Sequence, residues 1–252
     1  MAGEEIAASE ILEFKSFGEE LVRESRALIL QMQRNGFSSE FKTDGSPVTE
    51  IDIAAERLIR SRIASRYPDH GIVGEELEAV NQQSEFKWIL DPIDGTSEFL
   101  RGTHNWGTLI ALWYNDKPIL SIMDFPMLDQ CVIASLGNGV ELNGIGCLIK
   151  DNPSQSSRVW LPWLSALKRD GDETWMFYKL LEHFPQHFNI QSCYGFLYQL
   201  MGGADVALLA NVNLWDVATV RLVFEEAGGK YVSIKDGKLV DGKGRYSAIF
   251  GH

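Results

Sequence analysis

Three short segments of the chain place carboxylates directly after apolar residues, where an uncompensated charge is costly to bury. These carboxylates are, in chain order, Glu75 with Glu76, Asp91 with Asp94, and Asp216. Each has an ordinary structural explanation: a solvated surface pair, a turn and a helix cap, respectively. Those roles leave Asp91 unexplained, because it ends the apolar stretch that starts at Trp88. It therefore lies at the carboxyl end of a predicted buried strand, where ligands gather in sheet proteins.

If these acids converge, their like charges repel each other strongly unless cations neutralise them. A set of oxygen ligands without Cys or His favours Mg²⁺, Mn²⁺ or Ca²⁺ over zinc. Two such ions bridged by carboxylates are suited to displacement at phosphorus, because they bind phosphate oxygens and acidify a bound water. The acidic segments thus predict divalent-metal chemistry on a phosphate group.

Gly95 and Thr96, directly after Asp94, predict a phosphate-binding element. The residues that follow Thr96 are compatible with a short helix, so the Gly95 and Thr96 backbone N–H groups would point at an anion. The Thr96 hydroxyl would orient the attacking water, and Glu75 or Asp52 would accept its proton. Phosphate would then meet metal ions on one side and amides on the other.

The chain resembles the inositol monophosphatase family of magnesium-dependent, lithium-sensitive phosphatases in four ordered motifs. These are residues 42–52, 74–76, 91–96, and 215–218 with 226–229. The resemblance implies a layered α/β sandwich of alternating helices and largely antiparallel sheets, assembled as a homodimer. It also implies two to three Mg²⁺ ions, with Mn²⁺ as an alternative ion.

The resemblance assigns roles to individual residues. It implies that Glu75, Asp91 and the Ile93 carbonyl bind a first metal ion. Asp91, Asp94 and Asp216 would bind a second, and Glu75 would share a third, weaker site. Asp52 and Thr96 would lie beside the attacking water, with Lys42 as a cation near the metals.

Residues 99–102, 106–112 and 192–196 resemble the histidinol-phosphatase branch of the family more than the inositol branch. Two positions depart from the relatives: Ser192, where that branch commonly has aspartate, and Leu209, where relatives place an acid. We expect hydrolysis of histidinol phosphate, with inositol 1-phosphate or a 3′(2′),5′-bisphosphate nucleotide as alternatives. A non-catalytic phosphometabolite or cation sensor is the competing class, but the water-activating and metal-bridging residues are all present, which favours an enzyme.

Composition limits the other partners. The 252 residues carry 23 Lys plus Arg against 35 Asp plus Glu, a net charge of −12. This balance argues against a nucleic-acid binder or a basic membrane-surface protein. The acidic start of the chain lacks the pattern of a secretory signal, and no apolar run reaches the roughly 18 residues of a membrane span. We therefore expect a cytoplasmic protein that acts on a small molecule.

The elements that must position these residues follow from hydrophobic periodicity. Helices are expected at 14–32, 51–63, 172–183, 194–201 and 215–227, and strands at 87–90, 107–114, 118–123, 130–134, 158–161 and 230–234. The polar stretch 151–157 predicts a boundary between an N-terminal subdomain, 1–150, and a C-terminal one, 151–252, that contributes Asp216. Helices and strands alternate without a regular βαβ rhythm, which favours helices layered on largely antiparallel sheets.

Overall fold

The computed structural model describes residues 6–149, 158–162, 172–184, 186–235 and 246–251. Within this part of the chain the helices are α1 (Ala8–Asn35), α2 (Glu50–Arg66), α3 (Thr96–Leu100), α4 (Asp172–His183), α5 (Tyr194–Leu200), α6 (Leu214–Val217) and α7 (Val220–Glu226). A short hairpin, β1 (Ser39–Phe41) with β2 (Pro47–Thr49), joins α1 to α2. None of the helices in the described ranges is long and apolar enough to cross a membrane.

A seven-stranded sheet forms the first half of the molecule. Its strands, in spatial order, are β3 (Gly71–Gly74), β4 (Phe86–Asp94), β5 (Gly107–Tyr114), β6 (Lys117–Phe125), β7 (Gln130–Ser135), β8 (Val140–Leu142) and β9 (Ile145–Cys147). Only β3 and β4 among them pair in parallel, which the long connection 75–85 permits. β4 and β5 pair antiparallel, although residues 95–106 with α3 lie between them. The remaining pairs are antiparallel neighbours joined by short connections, as predicted.

A five-stranded sheet forms the second half. Its spatial order is β11 (Gln186–Phe188), β10 (Arg158–Trp160), β12 (Val206–Val212), β14 (Tyr246–Gly251) and β13 (Lys230–Lys235). The pairs β11·β10 and β10·β12 are parallel, and β12·β14 and β14·β13 are antiparallel. This sheet is therefore mixed, more parallel than the sequence suggested, because helices rather than tight turns connect its first strands.

The two sheets and the helices stack in alternating layers. Because side chains alternate along a strand, Ile110 and Leu112 of β5 pack against α1 and α2, while Leu109 faces the other way. That other face shares one hydrophobic cluster with α5, α7 and the five-stranded sheet, exemplified by Phe196 and Phe224. On the outer face of the five-stranded sheet, α4 covers a separate apolar cluster. The predicted layered fold is thus confirmed.

Most predicted elements are present, with one broken helix. The segment expected as a helix at 215–227 forms α6 and α7 instead. At the break, the Ala218 carbonyl accepts a hydrogen bond from the Trp113 indole at 3.1 Å, so a tertiary contact competes with the helical ladder. The predicted subdomain boundary lies largely outside the described residues, and the division into subdomains stays a prediction.

Candidate metal centre

The strand β4 carries two of the predicted metal ligands at its carboxyl end. Asp91 and Asp94 are both buried there, with 1% and 7% of their surface exposed. The ladder with β5 is interrupted between them, because Pro92 has no N–H to donate. The Thr108 hydroxyl donates to the Pro92 carbonyl at 2.8 Å and fixes this irregular turn.

Asp216 reaches the same point from the other half of the molecule. Oxygen atoms of Asp91, Asp94 and Asp216 all lie within 4.8 Å of one another. Asp216 Oδ2 also accepts a hydrogen bond from the Asn213 backbone N–H at 2.8 Å, at the start of α6. The ordinary explanation of Asp216 as part of a helix cap and its place in an acidic cluster are therefore both correct.

The protein holds two of the three carboxylates through backbone N–H groups. Asp94 Oδ2 accepts from the Cys193 N–H at the start of α5, as Asp216 does from Asn213. Asp91 Oδ1, by contrast, is buried without a hydrogen-bond partner among the described residues. A buried oxygen of this kind is costly unless a cation binds it.

The electrostatics of the cluster oppose ionisation of its members. Burial raises the pKa of Asp91 well above its usual value, and the charges of Glu75, Asp94 and Asp216 raise it further. Burial likewise raises the pKa of Asp94 to about 6, although hydrogen bonds from Cys193 act against it. A bound divalent cation would reverse this balance, since it becomes the largest local charge.

Glu75 lies beside the three aspartates rather than among them. It follows β3, and its backbone N–H donates to the Leu90 carbonyl at 3.1 Å. Its Oε1 accepts from Lys42 Nζ at 2.8 Å, and the same ammonium group binds Glu76 Oε1 at 2.8 Å. Burial disfavours the charged form of Lys42, but the two glutamates outweigh it and raise the pKa of Lys42. Lys42 is thus a cation bridging both glutamates.

The predicted phosphate-binding element starts the short helix α3. Gly95 precedes it with φ of 89°, a left-handed conformation that suits glycine. The Thr96 hydroxyl donates to the Ile93 carbonyl at 3.1 Å. Gly95, Thr96 and Ile93 all line the same cleft as the aspartates.

Asp52 takes part in the N-terminal cap of α2. Its Oδ2 accepts from the Thr49 backbone N–H at 2.9 Å and from the Thr49 hydroxyl. Burial raises its pKa to about 6, outweighing these hydrogen bonds, and the charge of Glu75 adds to the rise. Asp52 is not among the described residues that line the cleft, and its role as proton acceptor stays a prediction.

The cleft around the cluster has a volume of about 250 Å³. Its lining combines residues from both halves of the molecule: Ser46, Pro47, Glu75, Asp91, Ile93, Asp94, Gly95, Thr96, Ser97, Glu98, Gln191, Ser192 and Asp216. Five of these side chains are acidic, and no Lys or Arg of the described chain lines the cleft. Ser46 belongs to the 42–52 motif, whereas Ser97, Glu98 and Gln191 are outside the predicted site residues and only adjoin the motif segments.

Ser192 and Leu209, the two departures expected from the family resemblance, have different surroundings. Ser192 borders the cleft with a positive φ of 125°, and its hydroxyl donates to the Asn105 carbonyl at 2.5 Å. Leu209 is fully buried in the hydrophobic cluster between the sheets. Leu209 therefore contributes to packing.

Comparison with known proteins identifies relatives along most of the chain. A model of the inositol monophosphatase family matches residues 10–248. A histidinol-phosphatase from Chlorobaculum parvum is 33% identical over 223 residues, which cover 82% of this chain and 80% of that protein. A fructose-1,6-bisphosphatase/inositol-1-monophosphatase from Thermotoga maritima is 29% identical over 184 residues, which cover 72% of this chain and 69% of that protein. A solved IMPase from Thermotoga maritima superposes with a TM-score of 0.78 at 26% identity, covering 95% of this chain and 92% of that one.

Proposed function

The chain belongs to the inositol monophosphatase family, and from this premise we propose that it is a Mg²⁺-dependent phosphomonoesterase whose substrate is histidinol phosphate. The observation that carries the proposal is the convergence of Asp91, Asp94 and Asp216 on the cleft that Gly95 and Thr96 also line. A cluster of three acids, two of them buried, is unfavourable by itself, and it becomes useful once divalent cations and a phosphate group are present.

The residues present fit magnesium. All the candidate ligands are hard oxygen atoms. Asp91 Oδ1 accepts no hydrogen bond from the described residues and is therefore available to bind an ion. Asp91, Asp94 and Asp216 would hold one ion. Glu75, Asp91 and the Ile93 carbonyl would hold a second, and Glu75 would share a third. When bound, Mg²⁺ would polarise the phosphate group and acidify a water molecule.

The chain's own groups would bind the phosphate and move the proton. The backbone N–H groups of Gly95 and Thr96, at the start of α3, would donate to phosphate oxygens. The Thr96 hydroxyl already donates its proton to the Ile93 carbonyl, so its oxygen would accept a hydrogen bond from the attacking water. Glu75, held in place by Lys42, would take the proton of that water, with Asp52 as a second candidate.

Four of the five acids that line the cleft are candidate metal ligands, so bound ions would offset their charge, and Glu98 is the acid that remains for a cation on the leaving group. No basic side chain of the described residues lines the cleft. A second phosphate would lack a basic side chain as its partner there, which argues against bisphosphate substrates. Histidinol carries an ammonium group, and the relative from Chlorobaculum parvum bears the name histidinol-phosphatase. Inositol 1-phosphate is the second candidate, on the strength of the relative from Thermotoga maritima.

A phosphate-release panel tests the proposal. The purified protein is assayed in Mg²⁺ with histidinol phosphate, inositol 1-phosphate, a 3′,5′-bisphosphonucleotide and fructose 1,6-bisphosphate. We expect the highest kcat/KM with histidinol phosphate and loss of activity in EDTA. A preference for inositol 1-phosphate would replace the substrate but keep the enzyme class. Absence of release from all four would support a non-catalytic sensor instead.

Two further properties are proposed from the family resemblance. We expect inhibition by lithium in the same assay and a homodimer in sedimentation-velocity experiments. An enzyme that is indifferent to lithium, or a monomer at micromolar concentration, would contradict the respective proposal.

A further inference from the structure

Glu56 is a fully buried acid that the proposed reaction does not use. It lies in α2, four residues before Arg60, and 0% of its surface is exposed. Arg60 Nε donates to Glu56 Oε1 at 2.7 Å. Burial raises the pKa of Glu56, against hydrogen bonds and the charge of Arg60 that lower it. A buried acid of this kind needs partners, and the partners indicate its role.

The remaining partners of Glu56 all belong to the segment that carries Glu75. Glu56 Oε2 accepts from the Glu76 backbone N–H at 2.8 Å, and Oε1 accepts from the Leu77 N–H at 3.2 Å. The carboxylate therefore receives two successive amides of the turn that follows β3. These amides lie directly after Glu75, the predicted metal ligand.

Arg60 holds the same segment through its carbonyl groups. Its two terminal nitrogens donate to the Leu77 and Glu78 carbonyls, each at 3.0 Å. The Glu56–Arg60 ion pair on α2 thus binds both the backbone N–H groups and the backbone carbonyl groups of the turn after β3. Arg60 achieves this because a guanidinium presents several donors in a fixed plane, which a lysine does not.

Gly74 shows how closely the pair approaches the strand. A Cβ atom on Gly74 would lie 2.1 Å from Glu56 Oε1 and 2.7 Å from Oε2. Any side chain at this position would push the carboxylate away from the turn. The last residue of β3 is therefore a glycine because Glu56 occupies the space of its side chain.

We propose that the Glu56–Arg60 pair is a positioning device that fixes the backbone of residues 75–78 and thereby aims the Glu75 carboxylate at the metal centre. The inference rests on the proposed function, since it takes Glu75 as a metal ligand. Outer contacts of this kind hold metal-binding side chains in place, and their loss typically weakens metal affinity or activity by about 10–100-fold.

The test compares Glu56→Gln and Arg60→Lys with a matched control. Glu56→Gln keeps the size of the side chain but places an amide against backbone donors. Arg60→Lys keeps the charge but loses the forked contacts, and it covers the case in which Glu56→Gln does not fold. Asp205→Asn is the control, because Asp205 is also buried, binds Arg158 and accepts from the Arg158 backbone N–H at 2.6 Å in the other sheet.

Three measurements decide the outcome: amide hydrogen exchange of residues 75–78, the Kd for Mn²⁺ by calorimetry, and the Mg²⁺ concentration for half-maximal phosphate release. We expect faster exchange in Glu56→Gln, with the Kd and the half-maximal concentration raised about tenfold or more. Arg60→Lys should show smaller shifts in the same direction, and Asp205→Asn should lower Tm without changing metal affinity.

Wild-type Mn²⁺ affinity in both folded variants, or an equal loss of affinity in Asp205→Asn, would overturn the inference. Failure of the proposed function has a different signature: the wild-type protein would release no phosphate. In that case, weaker Mn²⁺ binding and faster exchange in Glu56→Gln would still support the positioning role.

Discussion

The three clustered aspartates differ in how the protein holds them. Asp94 and Asp216 are each anchored by a backbone N–H from a helix start, whereas Asp91 has a buried oxygen without a hydrogen-bond partner in the described chain. Anchoring through one oxygen fixes the direction of the other. This arrangement explains how a cluster of acids keeps a defined geometry despite repulsion between its members.

The first prediction concerns Asp94→Asn. The substitution keeps the volume and removes the charge of a proposed metal ligand, so we expect kcat/KM to fall by more than about 100-fold, the upper end of what outer contacts cost. Phosphate release at saturating Mg²⁺ measures the effect. Asp124→Asn is the control, because Asp124 is another buried aspartate, paired with Arg26 on α1. The control should lose stability and keep its activity; retained activity in Asp94→Asn would count against the metal assignment.

A second prediction concerns Gly74→Ala. The added methyl group would collide with the Glu56 carboxylate, and overpacking of this kind costs about 1–3 kcal/mol in free energy of unfolding. Urea unfolding measures that loss. Gly146→Ala in β9 is the control, because an added Cβ there meets nothing within 4 Å. Equal stability of the two variants would show that Glu56 yields without cost.

The helix α2 links its own N-terminal cap to the position of the segment that carries Glu75. Thr49 caps its start by accepting from the Ile51 and Asp52 backbone N–H groups, while Asp52 accepts from Thr49 in return. The same helix carries Glu56 about two turns and Arg60 about three turns after Thr49. A correct start of α2 is therefore a condition for the position of the Glu75 segment.

Replacement of the cap gives the third prediction. We expect Thr49→Ala to lower the free energy of unfolding by about 1–2 kcal/mol, because two N–H groups lose their acceptor and Asp52 loses a donor. Thr49→Ser keeps the hydroxyl and should retain most of the stability. Chemical denaturation followed by circular dichroism compares the two variants. A serine variant as unstable as the alanine variant would place the effect in the lost methyl group.

Helices and strands with a clear pattern of apolar residues could be predicted from the sequence. Element boundaries and strand pairings that depend on contacts distant in the sequence could not. The apolar spacing of α1 and the apolar run of β5 are local properties of the sequence, and both elements are present. The division between α6 and α7 depends on Trp113, which is distant in the sequence. The parallel pairs of β10 likewise depend on which strands meet in the fold, a property that no single segment contains.

The same distinction applies to the site. Asp91, Asp94 and Asp216 stood out because charged residues followed apolar ones, and the structure brings them together. Glu56 reads in the sequence as an ordinary polar position of a helix, and only tertiary contacts with residues 76–77 distinguish it. Gln191 has no local signal of its own either, since its place on the cleft depends on the other half of the molecule.

The whole molecule assembles the site across its two halves. Asp91 and Asp94 belong to the seven-stranded sheet, whereas Asp216 lies in α6 and Cys193 directly precedes α5, in the part of the molecule that packs between the sheets. The large hydrophobic cluster at that interface therefore also sets the distances between the clustered aspartates. Mutations in this cluster should affect metal binding even where they touch no ligand.

The acidic groups make the stability of the metal-free molecule depend on pH. Burial raises the pKa of Asp52 and Asp94 to about 6 and that of Glu76 to about 7. Carboxyls with a raised folded-state pKa stabilise the fold below their unfolded pKa, near 4, and this contribution is lost as pH rises through 6 to 7. Burial lowers the pKa of His70 from 6.5 to about 4. The neutral His70 therefore stabilises the fold above pH 6.5, and this contribution is lost as pH falls from 6.5 to about 4. The carboxyls outnumber His70, and together these groups favour the metal-free fold at acidic pH.

The fourth prediction follows from competition between protons and metal ions. Mg²⁺ at about 100 times its Kd would stabilise the fold by about 2.7 kcal/mol, or roughly 5–10 °C in Tm for a protein of this size. We expect this rise at pH 8 and a clearly smaller one at pH 5.5, where protons occupy the same carboxyls. Thermal melts in MgCl₂ and in EDTA at both pH values measure the difference, with Asp216→Asn as the variant that should lose most of it. An equal rise at both pH values would mean that the ion binds outside the buried acids.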